Sequence, residues 1–401
     1  MNLWIPMVRS IAILATLVMA AASPHAAAQH IEPEVPPSTQ QRGSLGQPFP
    51  GLVEDLEVIG PDRFVLTVSD RPDGGGLDRV EVYTPMEGPI GRPFLPDQRK
   101  IYDVAPDRDG GFWVLYYSAD EIDESRAEAA GMRLQRFDRL GEPVGEDRLL
   151  TESLLIGPHA TDQGRRGWII PLQNGAVAVA FTSFMPDSRL RALRFTTFYA
   201  DGEDGVTELL EEDLTHMPNV STLPLADGGA AMAWGTGNPM GERLSLTTLE
   251  PDGQWNDSVQ SIWSSSTTRG HAFNLRLTPI MGSDDLAAVF SVGPNQVWQR
   301  FDQNGVARSG VEDLNSTGAL VEPVRIEGTR LVGLAGGRVW PVGVYAVAIG
   351  DAELQRVAGL DTHITAFASE SAESVVVAAM VRSRPDATDD SPIFSYLYRF
   401  R

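Results

Sequence analysis

Leu134-Gln135-Arg136-Phe137-Asp138-Arg139-Leu140-Gly141 and Trp298-Gln299-Arg300-Phe301-Asp302-Gln303-Asn304-Gly305 are near copies of one pattern, an apolar strand that ends on aspartate and turns on glycine. Weaker copies run from Phe198 to Gly202 and from Leu249 to Gly253. A second signal precedes each copy: a tight turn leading into a strand that carries an aromatic residue. Asp109-Gly110-Gly111 leads to Tyr116, Asn174-Gly175 to Phe181, Asp227-Gly228-Gly229 to Trp234, and Ser283-Asp284-Asp285 to Phe290. A further short strand follows each copy, as in Val144 to Leu150 and Trp255 to Trp263. With the strand before the first signal, the unit holds four antiparallel strands. It recurs roughly every fifty to sixty residues, which matches one blade of a β-propeller.

Counting units gives blades at 51–98, 99–151, 165–213, 217–266, 271–315, 320–358 and 361–401. The expectation is an all-β, seven-bladed propeller of four-stranded antiparallel blades; six or eight blades also fit, because the third and sixth units are irregular. The last unit has only three strands, Thr362 to Ala368, Ser374 to Arg382 and Ile393 to Phe400. Its fourth is expected from the N-terminus. Gly43-Ser44-Leu45-Gly46-Gln47-Pro48-Phe49 resembles Gly88-Pro89-Ile90-Gly91-Arg92-Pro93-Phe94, the outer strand of the first unit, so an N-terminal strand would close the ring.

The chain also resembles exported bacterial propeller-repeat proteins that carry Gln-Arg-Phe-Asp-x-x-Gly after a Gly-Gly-apolar strand. The units at Gln135 and Gln299 match this pattern, and the others keep its spacing and hydrophobicity. The resemblance covers most of the chain but concerns the fold, and so implies no catalytic residue.

Ahead of the repeats, a short segment with one positive charge, Arg9, leads into the apolar stretch Ile11 to Ala22, then Ser23-Pro24-His25 and Ala26-Ala27-Ala28-Gln29. The apolar stretch is too short to span a bilayer. Residues 1–28 read as a secretory signal cut after Ala28, which sends the chain to the periplasm or the exterior and leaves no membrane insertion. Residues 29–42, rich in Pro and Gln, read as a tether too polar to fold alone. The propeller domain is expected over 43–401. One helix is expected, over 120–130, capped by Ser118 and ended by Gly131.

Composition narrows the chemistry. The chain has no cysteine, so burial of apolar surface supplies its stability, and thiolate catalysis is excluded. A formal charge of −22 repels nucleic acid and anionic lipid, leaving a protein or glycan as the expected partner of a monomer. No nucleophile elbow, zinc-protease helix, phosphate loop or full EF-hand loop is present. Asp107-Arg108-Asp109-Gly110 and Asp201-Gly202-Glu203-Asp204-Gly205 have carboxylates suited to Ca²⁺, but both stand where turns favour Asp and Gly for backbone reasons. Trp113, Trp234, Trp263 and Trp298 have the rings for sugar stacking and equally for a propeller core.

The histidines carry the one specific pattern. His159, His216, His271 and His363 each fall near the junction between one unit's outer strand and the next unit's inner strand. Three share a local form, His159-x-x-Asp162, His216-x-x-Asn219 and His271-x-x-Asn274. Such positions ring one mouth of a propeller's channel, where His216 and His271 are candidate ligands of Zn²⁺ and Asn219, Asn274, His159 and His363 candidate ligand contacts. The expected function is a non-catalytic binding or scaffold module; a metal-assisted hydrolase or lyase at that mouth is the alternative.

Overall fold

The computed structural model of the chain describes residues 43–45, 49–69, 78–93, 95, 98–118, 132–151, 167–184, 191–199, 205–214, 218–238, 241–256, 259–265, 274–292, 295–315, 321–335, 343–348, 354–359, 363–371, 374–382 and 393–400. All of them belong to the compact unit Ser38–Arg401. The helix expected over 120–130 and the signal at 1–28 lie outside the described residues.

Two short strands, β1 (Gly43–Ser44) and β2 (Phe49–Pro50), precede a succession of antiparallel meanders. The first comprises β3 (Leu52–Gly60), β4 (Arg63–Ser69), β5 (Asp78–Thr84) and β6 (Gly88–Gly91); the second β7 (Gln98–Pro106), β8 (Phe112–Ser118), β9 (Met132–Phe137) and β10 (Pro143–Thr151). Next come β11 (Gly167–Pro171), β12 (Val177–Phe184), β13 (Arg191–Phe198) and β14 (Glu208–Leu214), then β15 (Asn219–Pro224), β16 (Ala230–Asn238), β17 (Gly241–Leu249) and β18 (Gln260–Ser265). They are followed by β19 (Arg276–Met281), β20 (Leu286–Val292), β21 (Asn295–Phe301) and β22 (Glu312–Asn315), and by β23 (Val321–Glu327), β24 (Arg330–Ala335), β25 (Gly343–Ala348) and β26 (Leu354–Gly359). The last meander is β27 (His363–Ser371), β28 (Ser374–Arg382) and β29 (Ile393–Phe400).

The four-stranded antiparallel unit is as expected, but the count of seven separate blades is not. Among the described residues the strands form six sheets. A short parallel ladder is the cause: Ile280 pairs with Ile326 and Met281 with Glu327, which joins β19–β22 and β23–β26 into one eight-stranded sheet. At the N-terminus, Gly43 and Ser44 pair with Arg399 and Tyr398, and Phe49 and Pro50 with Ser395 and Phe394.

Strand periodicity explains the core. Successive side chains on a strand point to opposite faces, and β12 uses both: Val177, Val179 and Phe181 enter one apolar cluster with Trp113 and Leu115 of β8, while Ala178 and Ala180 enter another with Met232 and Trp234 of β16. In the same way β16 sends Ala231 and Ala233 into the cluster it shares with β20. Each of these clusters is thus built by two consecutive meanders. The first strands lie side by side in the order β27, β3, β7, β11, β15, β19, β23.

The repeated turn residues have separate jobs. Gly110 holds φ at +87°, the left-handed region where only glycine is unstrained. At Gly111 the demand is space, since a Cβ would stand 2.3 Å from the carbonyl oxygen of Phe137. The Gln-Arg-Phe-Asp segments divide their labour similarly. Gln135 Nε2 donates to the carbonyl of Arg136 at 2.9 Å, and Gln299 Nε2 to that of Ser309 at 2.9 Å. Arg136 Nε donates to Asp107 at 2.7 Å and Arg300 Nε to Asp285 at 2.6 Å, each tying the third strand to the turn between the first and second. Phe137 and Phe301 are buried. Asp138 Oδ1 accepts from the N–H groups of Leu140 and Glu142 at 2.8 and 2.9 Å, and Asp302 Oδ1 from those of Asn304 and Val306 at 3.0 and 2.9 Å.

One pH dependence follows from this turn. Desolvation raises the Asp138 pKa, but hydrogen bonds from Glu142, Leu140 and Gly141, helped by Arg139, outweigh it and hold the carboxyl below its ordinary value. A depressed folded pKa contributes stability above the unfolded value of about 4 and loses it as pH falls through the folded one. Asp138→Asn should therefore melt below the wild type at neutral pH, and the gap should shrink as the pH drops below about 4. Melting curves at several pH values check this; a gap independent of pH would contradict it.

Candidate functional site

Of the sequence candidates, Asn219, Asn274 and His363 lie at the end where first strands begin. Asn219 opens β15, opposite Gly235 of β16, and is half-buried. Asn274 immediately precedes Leu275 and β19, is exposed, and holds φ at +66°, a left-handed conformation that asparagine tolerates better than most residues. His363 opens β27 opposite Met380. Because β15 and β19 are neighbours, Asn219 and Asn274 share one sector of this end, whereas His363 stands at the start of a first strand that adjoins β3. His159, His216 and His271 lie outside the described residues, and with them the proposed zinc pair. Among the described residues no group of three His, Asp or Glu side chains has the placement to hold a metal ion.

The other candidates sit in structural roles. Asp107 and Asp109 are both engaged by the Arg136 guanidinium, which also lies over the Trp113 ring at 5.8 Å. Of the second carboxylate cluster, 201–204 lie outside the described residues. Trp113 and Trp234 are buried core residues, and Trp263 and Trp298 are half-buried, Trp263 packing on the cluster between β16 and β20.

Sequence reading missed a set of polar ties between meanders. At β3 and β7 the ladder slips by one residue, between Val53 and Asp55 and between Ile101 and Asp103. Such a bulge takes backbone groups out of the ladder. The aspartate at each slip accepts the following N–H, Asp55 from Leu56 at 3.1 Å and Asp103 from Val104 at 2.9 Å. Asp103 also accepts from Ile169 N of the next first strand at 2.6 Å, joining β7 to β11. Asp78 accepts from Ile101 N at 3.3 Å, Ser221 from Leu277 N at 2.9 Å, and Ser395 from Val53 N at 3.2 Å while donating to the Gly51 carbonyl at 2.8 Å. All four of these side chains are buried. The legible signal was a charged residue inside an apolar first strand, as in Ile101-Tyr102-Asp103-Val104-Ala105.

Outer strands add polar ties within a meander and between meanders. Asp147 of β10 accepts from Tyr116 Oη at 3.1 Å and Arg133 at 2.9 Å. Glu211 of β14 accepts from Trp234 Nε1 at 3.3 Å and pairs with Arg243, joining one meander to the next. The polar tips of two of the recurring aromatics are thus held by carboxylates.

The chain overlies the β-propeller domain of the trilobed protease from Pyrococcus furiosus with a TM-score of 0.50 and 9% identity, covering 87% of this chain and 94% of that one; that domain has an open velcro topology. It overlies the polysaccharide lyase Uly1 with a TM-score of 0.53 and 11% identity, covering 86% of this chain and 89% of that one. The chain is a β-propeller. Identities this low speak for the fold alone. No protein-family model matches the sequence, and no curated protein does. In a propeller, the end where Asn219, Asn274 and His363 stand is one mouth of the axial space, and the turns holding Asp107 to Gly110 are at the other.

Proposed function

We propose that this propeller is an exported, non-catalytic binding or scaffold module for a protein or glycan partner. The observation that carries this reading is the use the fold makes of its interior carboxylates. Asp78, Asp103 and Asp302 accept backbone N–H groups, and Glu81 and Asp107 pair with Arg79 and Arg136. A carboxylate so engaged is fixed in place with its oxygens committed to the fold, which suits a rigid platform better than a group that must meet a substrate. The net charge of −22 favours a neutral or cationic partner. On this reading β1 and β2 complete the last meander through their ladders to β29, so that the platform has no loose seam where its first and last meanders meet.

A melting screen of the mature protein against neutral oligosaccharides and cationic peptides tests the proposal. A binder at about one hundred times its Kd should raise stability by ~2.7 kcal/mol, with the compound recovered intact. Recovery of cleaved or unsaturated products would overturn it in favour of catalysis.

A further inference from the structure

Strands β7 and β15 are not neighbours, since β11 lies between them and packs against both. One side chain nevertheless joins the turns that end them. Arg108 stands in the turn between β7 and β8, and its guanidinium donates to the carbonyl oxygens of Gly229 at 3.0 Å and Leu225 at 3.4 Å. Those two residues close the turn between β15 and β16 through a bond from Leu225 N to Gly229 O of 3.0 Å. The intervening turn leans on the same point. Gln173 N donates to the Gly228 carbonyl at 3.0 Å, and a Cβ on Gly228 would stand 2.2 Å from the Gln173 side chain. Three successive turns therefore converge on Leu225 to Gly229.

The ring geometry says where this contact runs. The first strands surround the axis, and a straight line from the first to the third of three points on a ring passes inside the second. The Arg108 side chain is such a chord, so viewed along the axis it lies over the enclosed space. Although Arg108 is exposed as a residue, desolvation lowers its pKa while Asp227 acts in the opposite direction, as expected of a guanidinium partly withdrawn from water beside a carboxylate.

We propose that Arg108 is a strut across this mouth of the axial space. It narrows that end and leaves the opposite mouth, where Asn219 and His363 open their strands, as the way in. The role extends beyond bracing a turn, and the test separates the two. The chain has no native cysteine, so single engineered cysteines report access without background. Thr222→Cys and Met281→Cys place half-buried reporters on β15 and β19, Asn219→Cys marks the opposite mouth, and Val179→Cys is a fully buried control. Each is made with and without Arg108→Ala and labelled with a small maleimide.

Loss of a charge-assisted bond should speed labelling at Thr222→Cys or Met281→Cys by roughly fivefold or more, with Asn219→Cys and Val179→Cys unchanged. Two reporters keep the test open if either substitution alone disturbs folding. Unchanged labelling at both would overturn the proposal. So would a parallel rise at Val179→Cys, since Arg108 would then be acting on global stability alone.

Discussion

Replacing Asp103 with alanine should destabilise the propeller by about 3–5 kcal/mol, because two buried N–H groups, those of Val104 and Ile169, lose a charged acceptor together. The effect is large because neither donor has an easy substitute. The bulge that places Asp103 removes the local ladder partner, and both donors belong to buried residues, which excludes water. Asp103→Asn keeps an oxygen in place and should cost less than half as much. Urea unfolding of the two variants measures the difference. An alanine variant that unfolds at the wild-type midpoint would show that the bond between β7 and β11 contributes nothing to holding the meanders together.

Starting the chain at Gly51 should be the second large loss, roughly 3–6 kcal/mol from several hydrogen bonds of about 1 kcal/mol each and one part-buried leucine. The truncation removes both ladders to β29 and the bond from Leu45 N to Leu397 O of 2.7 Å. It also removes the acceptors of Tyr83 Oη at 3.0 Å and Arg79 at 2.6 Å, the carbonyls of Leu45 and Pro50. Leu45 leaves the cluster it shares with Val53, Leu56 and Leu397. The exposed edge of β29 then becomes a template for pairing with other chains, so the truncated protein should aggregate on heating as well as melt earlier. An unchanged melting temperature would mean that the contacts of β1, Leu45 and β2 contribute nothing to stability.

Why the repeat was legible is plain from its turns. Gly110 and Gly111 are required by a positive φ and by a carbonyl 2.3 Å from where a Cβ would be, so no other residues serve there and the pair marks the turn. The aromatics at Tyr116, Phe181, Trp234 and Phe290 are buried for the same reason in these four units, since their second strands are covered on both faces. The sheet count was not legible. Nothing in Ile280-Met281 or Ile326-Glu327 announces a parallel ladder, because apolar residues of first strands look alike whether they pack or pair.

Of the candidate site, only position along the first strands could be read from the sequence. The spacing of Asn219, Asn274 and His363 from their strands placed them at one end, but spacing holds no information about which residues of distant units face one another. Arg108 was hidden differently. It sits in an Asp-Gly turn that reads as a solvated surface, and its partners are backbone carbonyls more than one hundred residues away.

The most direct test of a binding platform is the fate of what it binds. A compound that shifts the melting of the protein is incubated with an equimolar amount of it for many hours, then recovered and analysed by mass spectrometry. The account predicts an unaltered mass and an unaltered melting shift on reuse; a shortened or dehydrated product, formed by the wild type and not by heat-denatured protein, would contradict it.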